Sequence, residues 1–329
     1  MTDVSGVLNR VIVTGGAGFI GSHLVDELSR RGAEKIIVVD NLSNGRLDNL
    51  SRHMGKGYFS FVKADLKDPN GQWVDSFKDA DVVFHFAANP EVRVSSVDPR
   101  SHFNENIYAT FNVLEAARKH DVKYHVFASS STVYGEAKII PTPEDYHPLE
   151  PISVYGATKL ACEALYISYA KLYGFKVLIA RYANIIGPRS NHGVIIDFIN
   201  KLKKNPKRLE ILGDGTQKKS YLHVYDAVDA TLHAFNYLVK ESNNDYEVFN
   251  IGSSDWIQVI KIADIIVEEM GLKNVEYVFV KTTPDGRGWP GDVKLMLLDI
   301  SKLKSIGWSP RWNSYEAVRK TVRELLGKE

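Results

Sequence analysis

The chain has 329 residues, 44% of them hydrophobic, which is enough for one large α/β domain with a second lobe. Its 41 lysines and arginines balance 40 aspartates and glutamates, and this net charge of +1 provides no basic field for a nucleic-acid backbone. The single cysteine excludes an internal disulfide, and the chain shows neither a secretory segment nor a run of about 20 apolar residues, so we expect a cytoplasmic protein with no nucleic-acid or membrane partner.

Short apolar runs alternate with longer amphipathic segments through the first half of the chain. These runs predict strands at 10–13, 35–39, 59–62, 81–86, 122–128 and 176–181. Apolar strands separated by helices are typical of a parallel sheet that is covered on both faces. We therefore predict an α/β fold, a Rossmann-type doubly wound parallel sheet with a smaller C-terminal substrate-binding lobe. The boundaries that we expect are 1–182 for the first domain, with a return near 221–251, and 183–329 mainly for the lobe.

The loop after the first predicted strand is rich in glycine. Gly15 permits a tight turn, Gly18 lets the backbone approach a pyrophosphate, and Gly21 allows close helix packing, so that the anion meets a helix N-terminus. Asp40 closes the second strand, where its carboxylate can accept hydrogen bonds from the adenosine ribose and repel a 2′-phosphate. A tight turn or a turn-forming aspartate would use the same residue types. The spacing of the strand, the glycine loop and Asp40 favours a dinucleotide site for NAD.

A tyrosine and a lysine four residues apart open a predicted helix that reaches Tyr173. Tyr155 and Lys159 would share one helix face, and the cation is expected to lower the pKa of the phenol towards neutrality, as a general base requires. Ser130 lies in a run of three serines at the end of the fifth strand, where its hydroxyl can contact a reacting oxygen. Turn or capping roles remain open for Ser129 and Ser131.

Five separated motifs resemble the UDP-glucose/UDP-galactose 4-epimerase family of the extended short-chain dehydrogenase/reductases: the glycine loop, Asp40 to Gly45, the serine run, Tyr155 with Lys159, and Arg181 to Asn184. The resemblance covers nearly the whole chain. It implies NAD binding by the first domain and UDP-sugar binding mainly by the lobe. The cofactor-binding residues that it implies are Gly15, Gly18, Phe19, Ile20, Gly21, Asp40, Asn41, Leu42, Ser43, Asn44, Gly45, Asp65, Leu66, Phe86, Ala87, Ala88, Asn106, Tyr155, Lys159 and Tyr182. The implied substrate-binding residues are Ser130, Asn184, Val194, Leu212, Lys219, Arg287 and Asp292.

The residues before Val133 bear on the type of reaction. Related 4,6-dehydratases carry an Asp-Glu pair there and related decarboxylases usually a glutamate, whereas this chain has Ser131 and Thr132. The resemblance therefore implies inversion of C4 of a UDP-hexose through a 4-keto intermediate, with Tyr155 as acid and base, Lys159 tuning it and Ser130 orienting the sugar oxygen. The alternatives are a UDP-N-acetylglucosamine 4-epimerase, another NAD-dependent sugar-nucleotide oxidoreductase, and a non-catalytic NAD-binding scaffold.

Three positions depart from the family pattern. Lys219 replaces a usual arginine and would meet the diphosphate as a point charge, unless it is a solvated surface lysine. Arg287 lies farther from the Pro-Gly-Asp sequence than usual; it is assigned to the diphosphate, and Asp292 to the uridine ribose. Leu297 stands where epimerases restricted to plain hexoses carry a tyrosine, so it either makes room for an N-acetyl group or is a core residue.

Two helical segments, 104–119 and 154–173, carry apolar residues on more than one face. In related enzymes two such helices pair with those of a second subunit, so the resemblance implies a homodimer with a four-helix interface. Burial inside the monomer is the alternative. No cluster of histidine, cysteine and acidic residues has the spacing of metal ligands, and we expect no metal site.

Overall fold

A computed structural model describes residues 7–281 and 283–329 of the protein. The first strands of the chain belong to a central sheet. In chain order the strands are β1 (Arg10–Thr14), β2 (Lys35–Asp40), β3 (Phe59–Lys63), β4 (Val82–His85), β5 (Tyr124–Ser130), β6 (Lys176–Tyr182), β7 (Asn184–Ile186), β8 (Arg208–Leu212), β9 (Lys218–Lys219), β10 (Tyr221–His223), β11 (Tyr246–Ile251), β12 (Ile257–Gln258), β13 (Glu276–Val280) and β14 (Leu295–Met296).

The central sheet has seven parallel strands in the order β11-β6-β5-β4-β1-β2-β3. The order reverses between β1 and β4, which is the switch point where doubly wound sheets bind ligands at their carboxyl ends. The predicted α/β class and its six strands are confirmed, with boundaries that differ by one or two residues. The last strand, β11, follows a long excursion of the chain and pairs with β6 in parallel.

Helices cover both faces of this sheet. In chain order, the helices of the described residues are α1 (Phe19–Arg30), α2 (Pro99–His102), α3 (Ala109–Lys119), α4 (Val154–Tyr173), α5 (Val194–Lys204), α6 (Val224–Lys240), α7 (Val259–Glu269), α8 (Ser301–Ser305) and α9 (Ser314–Leu325). Because side chains alternate along a strand, Val11 and Val13 pack with α1 and α6 on one face, whereas Ile12 packs with α3 and α4 on the other. A π-helical turn, Phe103–Tyr108, joins α2 to α3.

The second lobe has its own apolar core. It is formed by α5, α7 and α9 around the parallel pair β8 and β13, with Phe198, Ile211, Ile266 and Val322 buried inside. A small sheet, β12-β9-β14, lies beside it. The carboxyl ends of the large sheet face this lobe, and the space between them is the candidate site.

Candidate active site

A cleft of about 680 Å³ lies between the carboxyl edge of the large sheet and the second lobe. The residues predicted to bind cofactor and substrate all line this cleft except Leu42, Asn106 and Arg287. The fold therefore brings together side chains from the first strand to the last loops of the chain.

The glycine loop forms a tight cradle at one end of the cleft. Gly15 has φ +69°, and a Cβ placed there would lie 2.6 Å from the Ala87 backbone nitrogen. A Cβ on Gly21 would collide with the carbonyl oxygen of Gly15. Helix α1 starts after Gly18 with no side-chain cap, so the N–H groups of its first turn remain available to an anion. This loop fits the pyrophosphate of a dinucleotide.

Asp40 closes β2 beside this cradle, buried and held by the backbone. Its Oδ2 accepts from the Ala17 N–H at 3.0 Å and its Oδ1 from the Leu42 N–H at 2.8 Å. Burial raises the pKa of Asp40, and the two backbone hydrogen bonds oppose that change. Each carboxylate oxygen keeps a second lone pair that a ribose hydroxyl can use. Asp40 can therefore bind a ribose while it stabilises its own loop.

Two predicted cofactor residues lie behind the cleft wall. Leu42 has φ +62°, and its side chain packs against the core that contains α1. Asn106 is buried; its Oδ1 accepts from the Asn89 N–H at 2.8 Å and its Nδ2 donates to Thr158 Oγ1 at 3.0 Å. Asn106 therefore ties the loop after β4 to α4. The core and the loop thus use these two side chains, and their assignment to the cofactor stays a prediction.

Tyr155, Lys159 and Ser130 converge where β5 ends and α4 begins. Ser153 caps α4 by accepting the Gly156 N–H at 3.1 Å, so Tyr155 and Lys159 stand on successive turns. The buried Lys159 Nζ donates to the Ala128 carbonyl oxygen at 2.8 Å and lies 5.9 Å from the centroid of the Tyr155 ring. The Ser130 and Tyr155 side chains lie close enough for Ser130 to lower the pKa of the phenol. A phenol, a hydroxyl and an ammonium group thus share one end of the cleft.

The pKa values of this group differ from the sequence prediction. Burial raises the pKa of Tyr155 to about 12, and the neighbouring Ser130 hydroxyl offsets part of the rise. The predicted shift towards neutrality is therefore wrong in direction for the protein by itself. Lys159 directs its proton to a carbonyl rather than to the phenol, and burial lowers the pKa of Lys159 to about 8. Desolvation outweighs the attraction between the two side chains.

At the lobe end of the cleft, Lys219 and Asp292 form an ion pair. Lys219 Nζ lies 2.5 Å from Asp292 Oδ1, and the two side chains are 14% and 3% exposed. Lys219 is thus a cleft residue and not a solvated surface lysine. Asp292 Oδ2 also accepts from the Gly288 N–H at 3.3 Å.

Two polar atoms beside this pair have no hydrogen-bond partner among the described residues: Gln217 Oε1 and Trp289 Nε1. Both are buried, and both residues line the cleft. Buried polar groups are normally paired, so these atoms offer an acceptor and a donor to a bound molecule. Sequence reasoning missed them, because a glutamine and a tryptophan in loops carry no motif.

Arg287, predicted to bind the diphosphate, is directed elsewhere. Its guanidinium lies 2.5 Å from Asp285 Oδ2 and 2.7 Å from Glu136 Oε1, and it donates to the Asp292 carbonyl oxygen at 2.9 Å. Two carboxylates therefore neutralise it, and it holds its own loop together. The assignment of Arg287 to the diphosphate stays a prediction. Leu297 is likewise buried and off the cleft, as expected for a core residue.

Charged residues that the sequence did not single out line the cleft near Tyr155. Glu91 pairs with Arg93, whose Nε and Nη2 donate at 2.9 Å, and His192 approaches from the loop before α5. The Tyr155 N–H donates to Ser95 Oγ at 3.1 Å, which ties this segment to the start of α4. Short-range patterns could not reveal these residues, because the two loops meet only in the folded chain.

Residues 7–281 and 283–329 form neither a metal-binding cluster nor a membrane-crossing helix. No group of three or more histidine, cysteine, aspartate or glutamate side chains in these ranges is arranged to hold a metal ion. No helix in the same ranges is long and apolar enough to cross a membrane.

Residues 11–252 match the model of the NAD dependent epimerase/dehydratase family. A candidate UDP-glucose 4-epimerase of Methanocaldococcus jannaschii is 37% identical over 95% of this chain and 97% of its own. A UDP-galactose 4-epimerase of known crystal structure is 49% identical, with a TM-score of 0.86 over 97% of this chain and 99% of the other. A UDP-N-acetylglucosamine 4-epimerase from Methanobrevibacter ruminantium, in complex with UDP-N-acetylmuramic acid, is 30% identical, with a TM-score of 0.84 over 98% and 99%. The match to an NAD dependent family confirms the predicted cofactor.

Proposed function

We propose, because the chain belongs to the NAD dependent epimerase/dehydratase family, that it interconverts UDP-glucose and UDP-galactose by inverting C4 of the hexose. The observation that carries this proposal is the pair of hydroxyl side chains, Ser131 and Thr132, that lines the cleft beside Ser130 and Tyr155. Thr132 Oγ1 donates to Ser130 Oγ at 3.0 Å and brings no carboxylate to the reacting centre. The family resemblance implies an acidic residue at this place in enzymes that eliminate or decarboxylate.

In the proposed reaction, Tyr155 takes the proton of the C4 hydroxyl and later returns one. Ser130 orients the sugar oxygen and interacts with the Tyr155 hydroxyl. The charge of Lys159 favours the phenolate at the moment of transfer. When bound, NAD supplies the acceptor and donor of a hydride and, in its oxidised form, a positive ring. Residues of the glycine loop together with Asp40 would hold it.

Inversion requires that the keto sugar turn over while the nucleotide stays bound. Lys219 and Asp292 at the lobe end would hold the diphosphate and the uridine ribose, and Asn184, Val194 and Leu212 line the path between them and Tyr155. The sugar then moves at the end of a fixed nucleotide. This division of the cleft into a holding end and a reacting end supports an epimerase.

The test is product analysis with four substrates. Purified protein is incubated with UDP-galactose, UDP-glucose and their N-acetyl forms; nucleotide sugars are separated by chromatography, and absorbance near 340 nm is followed, where reduced NAD absorbs. We expect UDP-galactose and UDP-glucose to interconvert without net change in NAD. Tyr155→Phe should lower kcat by about 10²- to 10⁴-fold, the usual contribution of a general base. Stoichiometric reduction of NAD would instead indicate an oxidoreductase, and full activity in Tyr155→Phe would refute the assigned base.

The same proposal includes a homodimer through α3 and α4. Apolar side chains on these adjoining helices remain exposed in the monomer, Phe111 on α3 at 42% and Leu172 on α4 at 72%, as does Phe103 at 54% in the π-helical turn before α3. Clustered exposed aromatic and aliphatic residues are typical of an interface. A second copy of the chain fits this surface, because two helices per subunit make a closed four-helix contact.

A further inference from the structure

A buried ion pair lies directly behind the reacting group. The Glu163 carboxylate, 2% exposed, accepts from Arg181 Nε at 3.0 Å and from Arg181 Nη2 at 2.7 Å. Arg181 Nη1 donates to the Tyr134 hydroxyl and the Glu144 carbonyl oxygen, both at 2.9 Å. The pair therefore joins α4 to β6 and to the loop before α4. Such a pair costs desolvation energy, so its stabilising effect alone gives little reason for it.

One further hydrogen bond connects this pair to Ser129, the residue before the catalytic serine. The Ser129 hydroxyl donates to Glu163 Oε1. Ser129 is the neighbour of Ser130, and β5 ends at Ser130. The Glu163 carboxylate thus fixes the last residues of β5 on the side away from Tyr155, and Ser130 faces Tyr155. A shift of Ser129 would move the Ser130 hydroxyl with it.

Glu163 also lies one helical turn beyond Lys159. Groups from four elements face Lys159. Helix α4 contributes Tyr155, Cys162 and Glu163, and β4 contributes His85. Strand β5 contributes the Phe127 ring and the Ala128 carbonyl, and Arg181 on β6 acts through Glu163. Burial raises the pKa of the Cys162 thiol and lowers the pKa of His85 to about 3, so both are neutral near pH 8. Of these groups, Glu163 is the one that offers Lys159 a negative charge.

We propose that Glu163 is a positioning residue for the reaction: its carboxylate, held by Arg181, fixes the strand end that carries Ser130 and supplies the counter-charge of Lys159. This inference rests on the proposed epimerase function for its effect on turnover. Its electrostatic part concerns Lys159 alone and can be measured without substrate.

The test compares Glu163→Gln, Glu163→Asp and Ser129→Ala with the wild type. Loss of the negative charge should lower the pKa of Lys159 by about one unit, the smaller end of the usual effect of an adjacent opposite charge. The protonated fraction at pH 8 then falls from about one half in the wild type to about one tenth in the variant, so the ratio of the kcat of Glu163→Gln to the wild-type kcat should be about five-fold lower at pH 8 than at pH 6. Ser129→Ala keeps the charge and should lower kcat equally at both pH values. Glu163→Asp keeps the charge, so its kcat should fall at alkaline pH in the same way as that of the wild type.

The titration of Lys159 is followed directly by NMR with ¹³C-labelled lysine and without substrate, and Lys159→Arg identifies its signal. Glu247→Gln is the matched control, because Glu247 is another buried carboxylate, 2.7 Å from Lys302, that does not face Lys159. An unchanged Lys159 titration in Glu163→Gln overturns the counter-charge, and an unchanged kcat in Ser129→Ala overturns the positioning of Ser130. A wild type without epimerase activity refutes the proposed function, while the NMR titration still decides the electrostatic part.

Discussion

Replacing Gly15 by alanine tests the cradle on which the dinucleotide site depends. The residue has φ +69°, and its new Cβ would lie 2.6 Å from the backbone nitrogen and 2.7 Å from the Cα of Ala87. Both neighbours are backbone atoms at the end of a central strand, so neither can rotate away. We expect the loop to be displaced towards the cleft, and the pyrophosphate contact to be lost with it.

The magnitude follows from two separate costs. A side chain in the left-handed region costs about 1–2 kcal/mol, and an unrelieved overlap in a packed region about 1–3 kcal/mol. Gly15→Ala should therefore destabilise the protein by about 2–5 kcal/mol. Gly55 is the matched control, because it has φ +77° and no atom lies within 4 Å of the position that a Cβ would take there. Gly55→Ala should cost only the conformational part, and the effect of alanine on the unfolded chain is the same in both variants.

The assay has two readouts: the free energy of unfolding in urea, and the NAD that remains bound after gel filtration. Gly55→Ala should keep the NAD content of the wild type, whereas Gly15→Ala should lose most of it. If Gly15→Ala unfolds like Gly55→Ala and retains its NAD, the steric argument about the cradle is refuted.

Three further predictions concern other parts of the molecule. Lys219→Ala leaves the buried Asp292 without its cation, so the free energy of unfolding should fall by about 3–5 kcal/mol and KM should rise. Lys219→Arg should keep most of this free energy and a KM close to that of the wild type. Equal KM values in the two variants would contradict the pairing. Burial lowers the pKa of His125 to about 4, so stability should be lost as pH falls from about 6.5 towards 4, by at most about 3 kcal/mol. In urea unfolding at pH 7, 5.5 and 4, His125→Phe should lose less stability with falling pH than the wild type. An identical loss would rule out His125 as a source of the pH dependence. Phe111→Glu should give a monomer in light scattering, while Leu47→Glu, at a leucine of similar exposure outside α3 and α4, should leave the dimer intact; a dimeric Phe111→Glu would rule out this face.

Local patterns in the sequence determined the fold class and the chemical identity of most cleft residues. Strand periodicity predicted β1 to β6, because burial on both faces requires continuous apolar runs. The Gly15-Gly18-Gly21 spacing and the four-residue step from Tyr155 to Lys159 are geometric consequences of a tight turn and a helix, so they can be interpreted without the rest of the chain.

Only the tertiary structure decided which charges meet and which groups lose water. Lys219 and Asp292 are 73 positions apart, and Glu163 and Arg181 are 18 apart, so no local period links either pair. Arg287 was directed away from the cleft by Glu136, a residue distant in the sequence. The pKa of Tyr155 rose rather than fell because desolvation depends on the surfaces that fold around the phenol. Residue types and short spacings are written in the sequence, whereas burial and long-range pairing arise only when the two lobes come together.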